Sequence, residues 1–378
     1  MEEYSAPAPR VAEFFAGMGL VRMALEQTGC NVVFANDISE TKQRIYEANF
    51  GAGEFLRADI RDLRGNQIPQ VEIATASFPC TDLSLAGNRA GLNGGESSML
   101  REFLRIIVEM GDRRPRSVLL ENVVGLATSG GGRDLAEAIA SLNGLGYICD
   151  LVMVDAKWFL PQSRPRVFVM AADTPLVGTV DWRPTELRPK WIKKFVGKHP
   201  NVRMQAAPLP DPPSHQSHLV YFVDHHSSAD PIWWHGARFE DFLASLSPIQ
   251  ANRLQAMRSA DYKTFATAYR RTRYGKAVWE IRADDIAGCL RTGRGGSSRQ
   301  ALVEAGQGEV RARWMTAREY ARLQGAPDVC LGNVTEAQAR FALGDAVCVP
   351  AVTWLLKHYL QLLRRQGIAD SQLVTGYA

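Results

Sequence analysis

The sequence predicts an α/β fold in which a parallel sheet with helices on both faces is interrupted by a smaller, irregular module. Three observations predict it. Over the first 175 residues short apolar runs alternate with amphipathic stretches, the alternation stops near Thr174, and helix-start signals resume at Thr316. Alternation of this kind favours parallel strands joined by helical crossovers, with ligands bound beyond the carboxyl ends of the strands. A chain of 378 residues suits more than one domain. The expected divisions are 1–175, 176–310 and a return segment, 311–378.

The runs "RVAEFF", "CNVVFAN", "VEIATAS", "SVLLEN" and "RVFVMAA" are rich in Val, Ile, Leu, Phe or Ala and end in Gly, Pro or polar residues, as strands do. Met99 to Met110 and Asp134 to Leu142 are amphipathic, and Asn143-Gly144 stops the second. From Thr174 the chain becomes rich in Pro and Lys ("RPTELRPKWIKKFVGKHPNVRMQAAPLPDPPSH"), and it stays without clear periodicity to about Gly308. "TARE" at Thr316 predicts a capping box with Glu319, in a helix that ends at Gly325, and "TEAQ" at Thr335 predicts a second. Val352, Leu355, Leu356, Tyr359, Leu360 and Leu363 recur at helical spacing as a core face.

Apolar residues make up 46% of the chain and charged residues 22%, a globular composition. No run reads as a spanning helix and "MEEYSAPAPR" holds no signal-peptide core, so a cytoplasmic protein is expected. The six cysteines form no CxxC pair, which argues against a structural metal or a disulfide framework. The net charge of +4 hides an asymmetry: Asn252 to Arg318 carries 14 Arg and Lys against 6 Asp and Glu, a local +8 that leaves −4 elsewhere. With its interleaved aromatics ("YRRTRYGKAVWEIR"), this block suits nucleic acid, although a solvated surface would look similar.

Candidate site residues gather at the predicted strand ends. "FFAGMGL" supplies Gly17 and Gly19 for a tight turn against a ligand, but Arg22 stands where a dinucleotide fingerprint needs a third glycine. Asp37 ends the second strand, where a carboxylate can accept the hydroxyls of a ribose, and Asp59 of "ADI" can accept from an adenine amino group. Together these suggest an adenosine-containing cofactor other than a dinucleotide. Cys80 sits where the chain leaves the next strand, Glu121 and Asn122 end "SVLLEN", and "PQSRPRVF" sets Arg164 and Arg166 two apart, for one face of a strand.

In chain order, "FFAGMG", "FPC", "ENV", "QSRPRV", "TAREYARLQGAP" and "GDAVCVPAV" closely resemble the motifs of the DNA (cytosine-5) methyltransferases, from Phe14 to Ala351. The resemblance implies a Rossmann-like methyltransferase sheet that binds S-adenosylmethionine. It makes 1–175 the catalytic and cofactor-binding part and 176–310 a target recognition domain, and 311–378 would complete the catalytic domain. It implies that Cys80 is the nucleophile, that Glu121 assists at the ring nitrogen, that Arg166 orients the base and that Arg164 braces the cysteine loop or a phosphate. For the cofactor it implies Phe15, Gly17, Gly19, Asp37, Ile38, Asp59, Ile60, Pro79, Leu100, Asp345 and Ala346.

The implied partner is double-stranded DNA, bound by a monomer in the bacterial nucleoid, with no metal and no membrane. Ser84, Arg270, Arg271, Arg273 and Arg294 are its expected contacts. Three positions depart from the family pattern: Asp37 replaces the commoner glutamate, Asp345 replaces Asn, and "NGGESSML" lacks the usual loop arginine. Transfer-RNA methyltransferases of the same family carry a Cys-Phe-Thr element that is absent here. A methyltransferase-like DNA-binding protein without catalysis is the other alternative, against which every nameable catalytic position is intact.

Overall fold

The computed structural model describes residues 7–79, 98–214, 218–273, 275–292 and 299–366. The described elements are β1 (Arg10–Phe14), α1 (Leu20–Gln27), β2 (Asn31–Asp37), α2 (Glu40–Phe50), β3 (Phe55–Arg57), β4 (Ile73–Ala76), α3 (Ser98–Glu109), β5 (Ser117–Val123), α4 (Gly125–Thr128), α5 (Arg133–Gly144), β6 (Ile148–Asp155) and β7 (Pro165–Ala172). They form a seven-stranded sheet in the order β3-β2-β1-β4-β5-β7-β6. Strands β3, β2, β1, β4 and β5 pair in parallel; buried residues of β2, β1, β4 and β5 build one core with the apolar faces of α3 and α5, while Phe55 on β3 packs with Ala35 and Tyr46.

The sheet departs from the expected all-parallel one at β7, which runs antiparallel to both β5 and β6. The cause is the connection 156–164 between β6 and β7, which is too short for a crossover that would return the chain to the same end of the sheet. Strand β6 itself escapes the sequence reading because two aspartates interrupt "ICDLVMVD". Asp150 is nevertheless fully buried, its carboxylate 2.7 Å from Arg188 and accepting the Ala207 N–H at 2.9 Å. β3 escapes because it is only three residues long.

The stretch expected to be irregular nevertheless contains regular elements. It holds α6 (Lys190–Lys198), α7 (Gly236–Ala244), α8 (Pro248–Arg258), β8 (Thr264–Arg273), β9 (Lys276–Ile281), β10 (Gln300–Gly306) and β11 (Glu309–Trp314). The last four make an antiparallel sheet, β11-β10-β8-β9, over a core of Trp234, Phe242, Trp279, Ala301 and Val303. β8 shows no period-two pattern, because Phe265 to Ala268 are buried at consecutive positions and its far end carries Arg270, Arg271 and Arg273. The chain closes with α9 (Ala317–Leu323), α10 (Glu336–Asp345) and α11 (Val349–Arg365), and both predicted capping boxes form.

Two compact units result, one of 1–155, 165–212 and 351–378, the other of 156–164 and 213–350. Their edges differ from 175 and 310. Residues 176–212 join the first unit because the Arg188–Asp150 pair and the backbone bonds of Cys149 with Arg203 and Gln205 tie them to β6. Residues 311–350 join the second because β11 pairs with β10, and Arg313 on β11 holds Glu319 on α9. By length and composition alone Glu336–Arg365, which spans α10 and α11, is apolar enough to cross a membrane, with a mean hydropathy of 1.4. Its most apolar window is 61% buried inside the protein, as core helices are.

Candidate active site

The chain leaves β1 through a left-handed turn: Phe15 has φ 54°, Gly17 59° and Gly19 90°. Such a conformation in a bulky residue like Phe15 is uncommon and is held by its surroundings. The Ala16 N–H donates to the Asn36 carbonyl at 2.9 Å and the Gly17 N–H to the Asp37 carboxylate at 3.0 Å. Asp37 also accepts the Ser39 N–H at 2.9 Å, while the Asn36 amide donates to the Leu56 and Ala58 carbonyls, both at 2.9 Å. The ends of β1, β2 and β3 are thus laced together. A Cβ on Gly19 would lie 2.3 Å from the Phe50 ring, so the helix start packs too closely for any side chain, whereas one on Gly17 would meet nothing nearer than 4.0 Å.

Around this turn the expected cofactor residues divide. Phe15, Gly17, Gly19 and Asp37 come together, and Ile38 beside them is 64% exposed, unusual for an isoleucine unless something covers it. Asp59 caps the turn at Ile60–Asp62 and is held by the Arg61 side chain, whose hydrogen bonds keep its carboxyl below the usual range. Ile60 and Leu100 belong to the core. Pro79 is exposed. Arg22, in place of a third glycine, packs over the Phe50 ring at 4.6 Å and bonds to Tyr46 and Glu26 at 2.9 and 2.7 Å.

At the neighbouring strand ends Glu121 meets Arg166 at 3.0 Å, with both side chains largely buried. Asn122, 4% exposed, donates to the Phe78 carbonyl at 3.1 Å and so fixes the chain where β4 runs out. Cys80 and Ser84 lie outside the described residues, as does Arg294. Arg164 does not share a strand face with Arg166, contrary to the spacing argument. Strand β7 begins only at Pro165, and Arg164 turns within the second unit to donate to the carbonyls of Leu290, Gly344 and Ala346.

Sequence reasoning missed two residues of the same cluster. Gln162 donates to the Leu323 carbonyl at 2.6 Å, and Gln324 donates to the carbonyls of Leu343 and Ala346 at 2.7 and 3.0 Å. Both are fully buried, and the amide in each flanking motif, "PQSRPRV" and "RLQGAP", is the signal that could have found them. Ala346 is held as an acceptor by this cluster, and Asp345 beside it is exposed. Of the expected DNA contacts, Arg271 and Arg273 are exposed on β8 and share Glu280 at 3.1 and 2.7 Å, while Arg270 before them is half-buried.

The family model described as C-5 cytosine-specific DNA methylase matches residues 9–361. The Type II methyltransferase M.DsaV of Dactylococcopsis salina is 29% identical over 94% of this chain and 87% of its own length. M.HpaII of Haemophilus parainfluenzae is 26% identical over 93% of this chain and 89% of its own. Among solved structures, the S. pombe Dnmt2 methyltransferase superposes with a TM-score of 0.57 at 18% identity, over 95% of this chain and 99% of that one. The Entamoeba histolytica methyltransferase EhMeth gives 0.59 at 16%, over 95% and 99%. The two structures speak for the fold.

Proposed function

Because this chain belongs to the C-5 cytosine-specific DNA methylase family, we propose that it methylates carbon 5 of a cytosine within a specific duplex sequence, in a restriction-modification system or as an orphan methylase. The observation that carries this reading is the pair of contacts at the end of β5. Asn122 holds the Phe78 carbonyl, two residues before Cys80, while Glu121 next to it is set by Arg166. The carboxyl and the guanidinium therefore stand together at one end of the sheet, where sheets of this kind carry their chemistry, and the proposed nucleophile follows Phe78 by two residues in the sequence.

Carbon 5 of cytosine is a weak nucleophile. In the proposed reaction the Cys80 thiolate adds to carbon 6, and Glu121 shares a proton with ring nitrogen 3, which draws electron density into the ring and turns carbon 5 into an enamine carbon. Arg166 aligns the Glu121 carboxyl and the base. S-adenosylmethionine, when bound, supplies the electrophilic methyl group. The residues present fit it: the backbone at Gly17 faces open space, Asp37 is anchored beside it, and Ile38 offers an exposed apolar face. Removal of the carbon-5 proton then expels the Cys80 thiolate and restores the ring. The base must leave the duplex stack for this, at a cost of a few kcal/mol.

Two measurements test the reading. Cys80→Ser abolishes methyl transfer to duplex DNA from labelled S-adenosylmethionine while cofactor binding persists. A duplex with 5-fluorocytosine at the target gives a covalent adduct at Cys80, because fluorine cannot depart as the proton does. Normal turnover by the serine variant, or no adduct in the presence of cofactor, defeats the mechanism.

A further inference from the structure

We infer that Arg238 and Arg299, stacked on the tryptophans of a cavity in the second unit, bind a phosphodiester of the DNA backbone. The cavity, about 480 Å³, is lined by Trp234, Trp314, Arg238, Arg299, Arg340 and Glu336 among others. The Arg238 guanidinium lies 4.7 Å from the Trp234 ring centre and 5.2 Å from that of Trp314, and Arg299 lies 4.4 Å from Trp314. Three guanidiniums thus face a single carboxylate. That carboxylate is already spent: Glu336 accepts from Arg340 at 2.7 Å and from the Ala317 N–H at 2.5 Å.

Neither Arg238 nor Arg299 has a carboxylate partner among the described residues. The Arg299 Nε is also buried without a hydrogen bond, and so is the Trp234 indole N–H. Burial lowers the pKa of both guanidiniums below the usual value, and for Arg299 the nearby Arg340 and Arg238 add to it. The site therefore concentrates positive charge that no described carboxylate of the second unit neutralises.

The chemistry selects an anion with several acceptor oxygens. A guanidinium held over an aromatic ring keeps N–H donors that match phosphate geometry. Uncompensated and partly desolvated arginines gain most from such a ligand. The inference deepens the reading of the chain as a DNA methyltransferase and rests on it, since the phosphate is taken to be that of the substrate duplex. A backbone contact positions the duplex without reading its sequence.

The salt dependence of DNA binding tests it. The full chain is titrated with target and unrelated duplexes over a range of salt concentrations. Arg238→Ala combined with Arg299→Ala weakens binding to both duplexes by the same factor, and the slope of log affinity against log salt falls in magnitude by about 1 for each phosphate no longer neutralised. If circular dichroism shows that variant unfolded, the length-preserving pair Arg238→Gln and Arg299→Gln gives the same reading. A lowered melting temperature with an unchanged slope means that the arginines only brace the tryptophans, and overturns the inference. So does a loss confined to the target duplex, which would make the arginines readers of base edges. A wild-type chain that binds no duplex at all fails at the earlier step, the methyltransferase reading itself.

Discussion

Glu13 is the fourth of the five residues of β1, 1% exposed and two residues before the turn that begins at Phe15. Burial raises its carboxyl from the ordinary 4.5 to about 8, against the opposing pull of Arg22, with Asp37 and Glu26 adding to the rise. The raised value fixes the sign of a pH effect. In the folded state the carboxyl keeps its proton to about pH 8, whereas the unfolded chain releases it near 4.5. Its contribution to stability is therefore full below pH 4.5 and is lost as the pH rises through about 8. The total at stake is at most on the order of 5 kcal/mol. Glu13→Gln, which cannot ionise, is expected to flatten the fall in urea midpoint between pH 6 and pH 9. Equal falls in the two proteins would remove Glu13 as the cause. Sequence inspection could name Gly17 and Asp37, because their roles follow from residue type at a strand end. It could not name Glu13, because a glutamate in a strand run is normally taken for a surface position, and only the packing of Arg22 and Tyr46 around it shows otherwise.

Among the elements, α9 was the most legible. "TARE" announces its cap, and the structure forms both bonds of the box, from the Glu319 N–H to Thr316 at 3.1 Å and from the Thr316 N–H to Glu319 at 2.8 Å. The box also does something no local pattern announces. The Glu319 carboxylate is fully buried, binds Arg313 through both guanidinium nitrogens, and accepts the Asp224 N–H at 2.7 Å. A capping residue has become the centre of a buried ion pair that joins β11, α9 and the 224 loop. The two halves of the box should therefore differ in cost. Thr316→Ala loses a cap worth about 1 kcal/mol. Glu319→Ala strands Arg313 in the interior and costs about 3–5 kcal/mol. Urea titrations of both variants check the ratio, and comparable costs would mean that Arg313 finds water or another acceptor. The strands β8 to β11 were illegible for the opposite reason: their pairing is long-range, and β10, buried at every position, shows no alternation.

At the scale of the whole molecule, the order of the motifs predicted an interrupted main domain, and the chain does return to it, although only at residue 351. What the return segment brings is a core face. Val352, Leu355, Leu356, Tyr359, Leu360 and Leu363 on α11 are each 4% exposed or less, and Thr353 bonds to Gln27 at the end of α1 at 2.8 Å. At about 1.5–3 kcal/mol for each large apolar side chain removed from water, six such residues contribute about 9–18 kcal/mol, comparable with the roughly 5–15 kcal/mol by which a domain is stable. A fragment ending at Gly308 keeps Cys80, Glu121, Arg164 and Arg166, yet it loses α11 together with β11, α9 and α10. We expect it to show no cooperative unfolding transition and no binding of S-adenosylmethionine, although the strands from β1 to β7 are all present. Circular dichroism melts and isothermal titration beside the full chain decide the point. A fragment that melts cooperatively and binds with full-length affinity would make α11 an appendage, and the apolar face it covers would then have to be satisfied from within the first 308 residues.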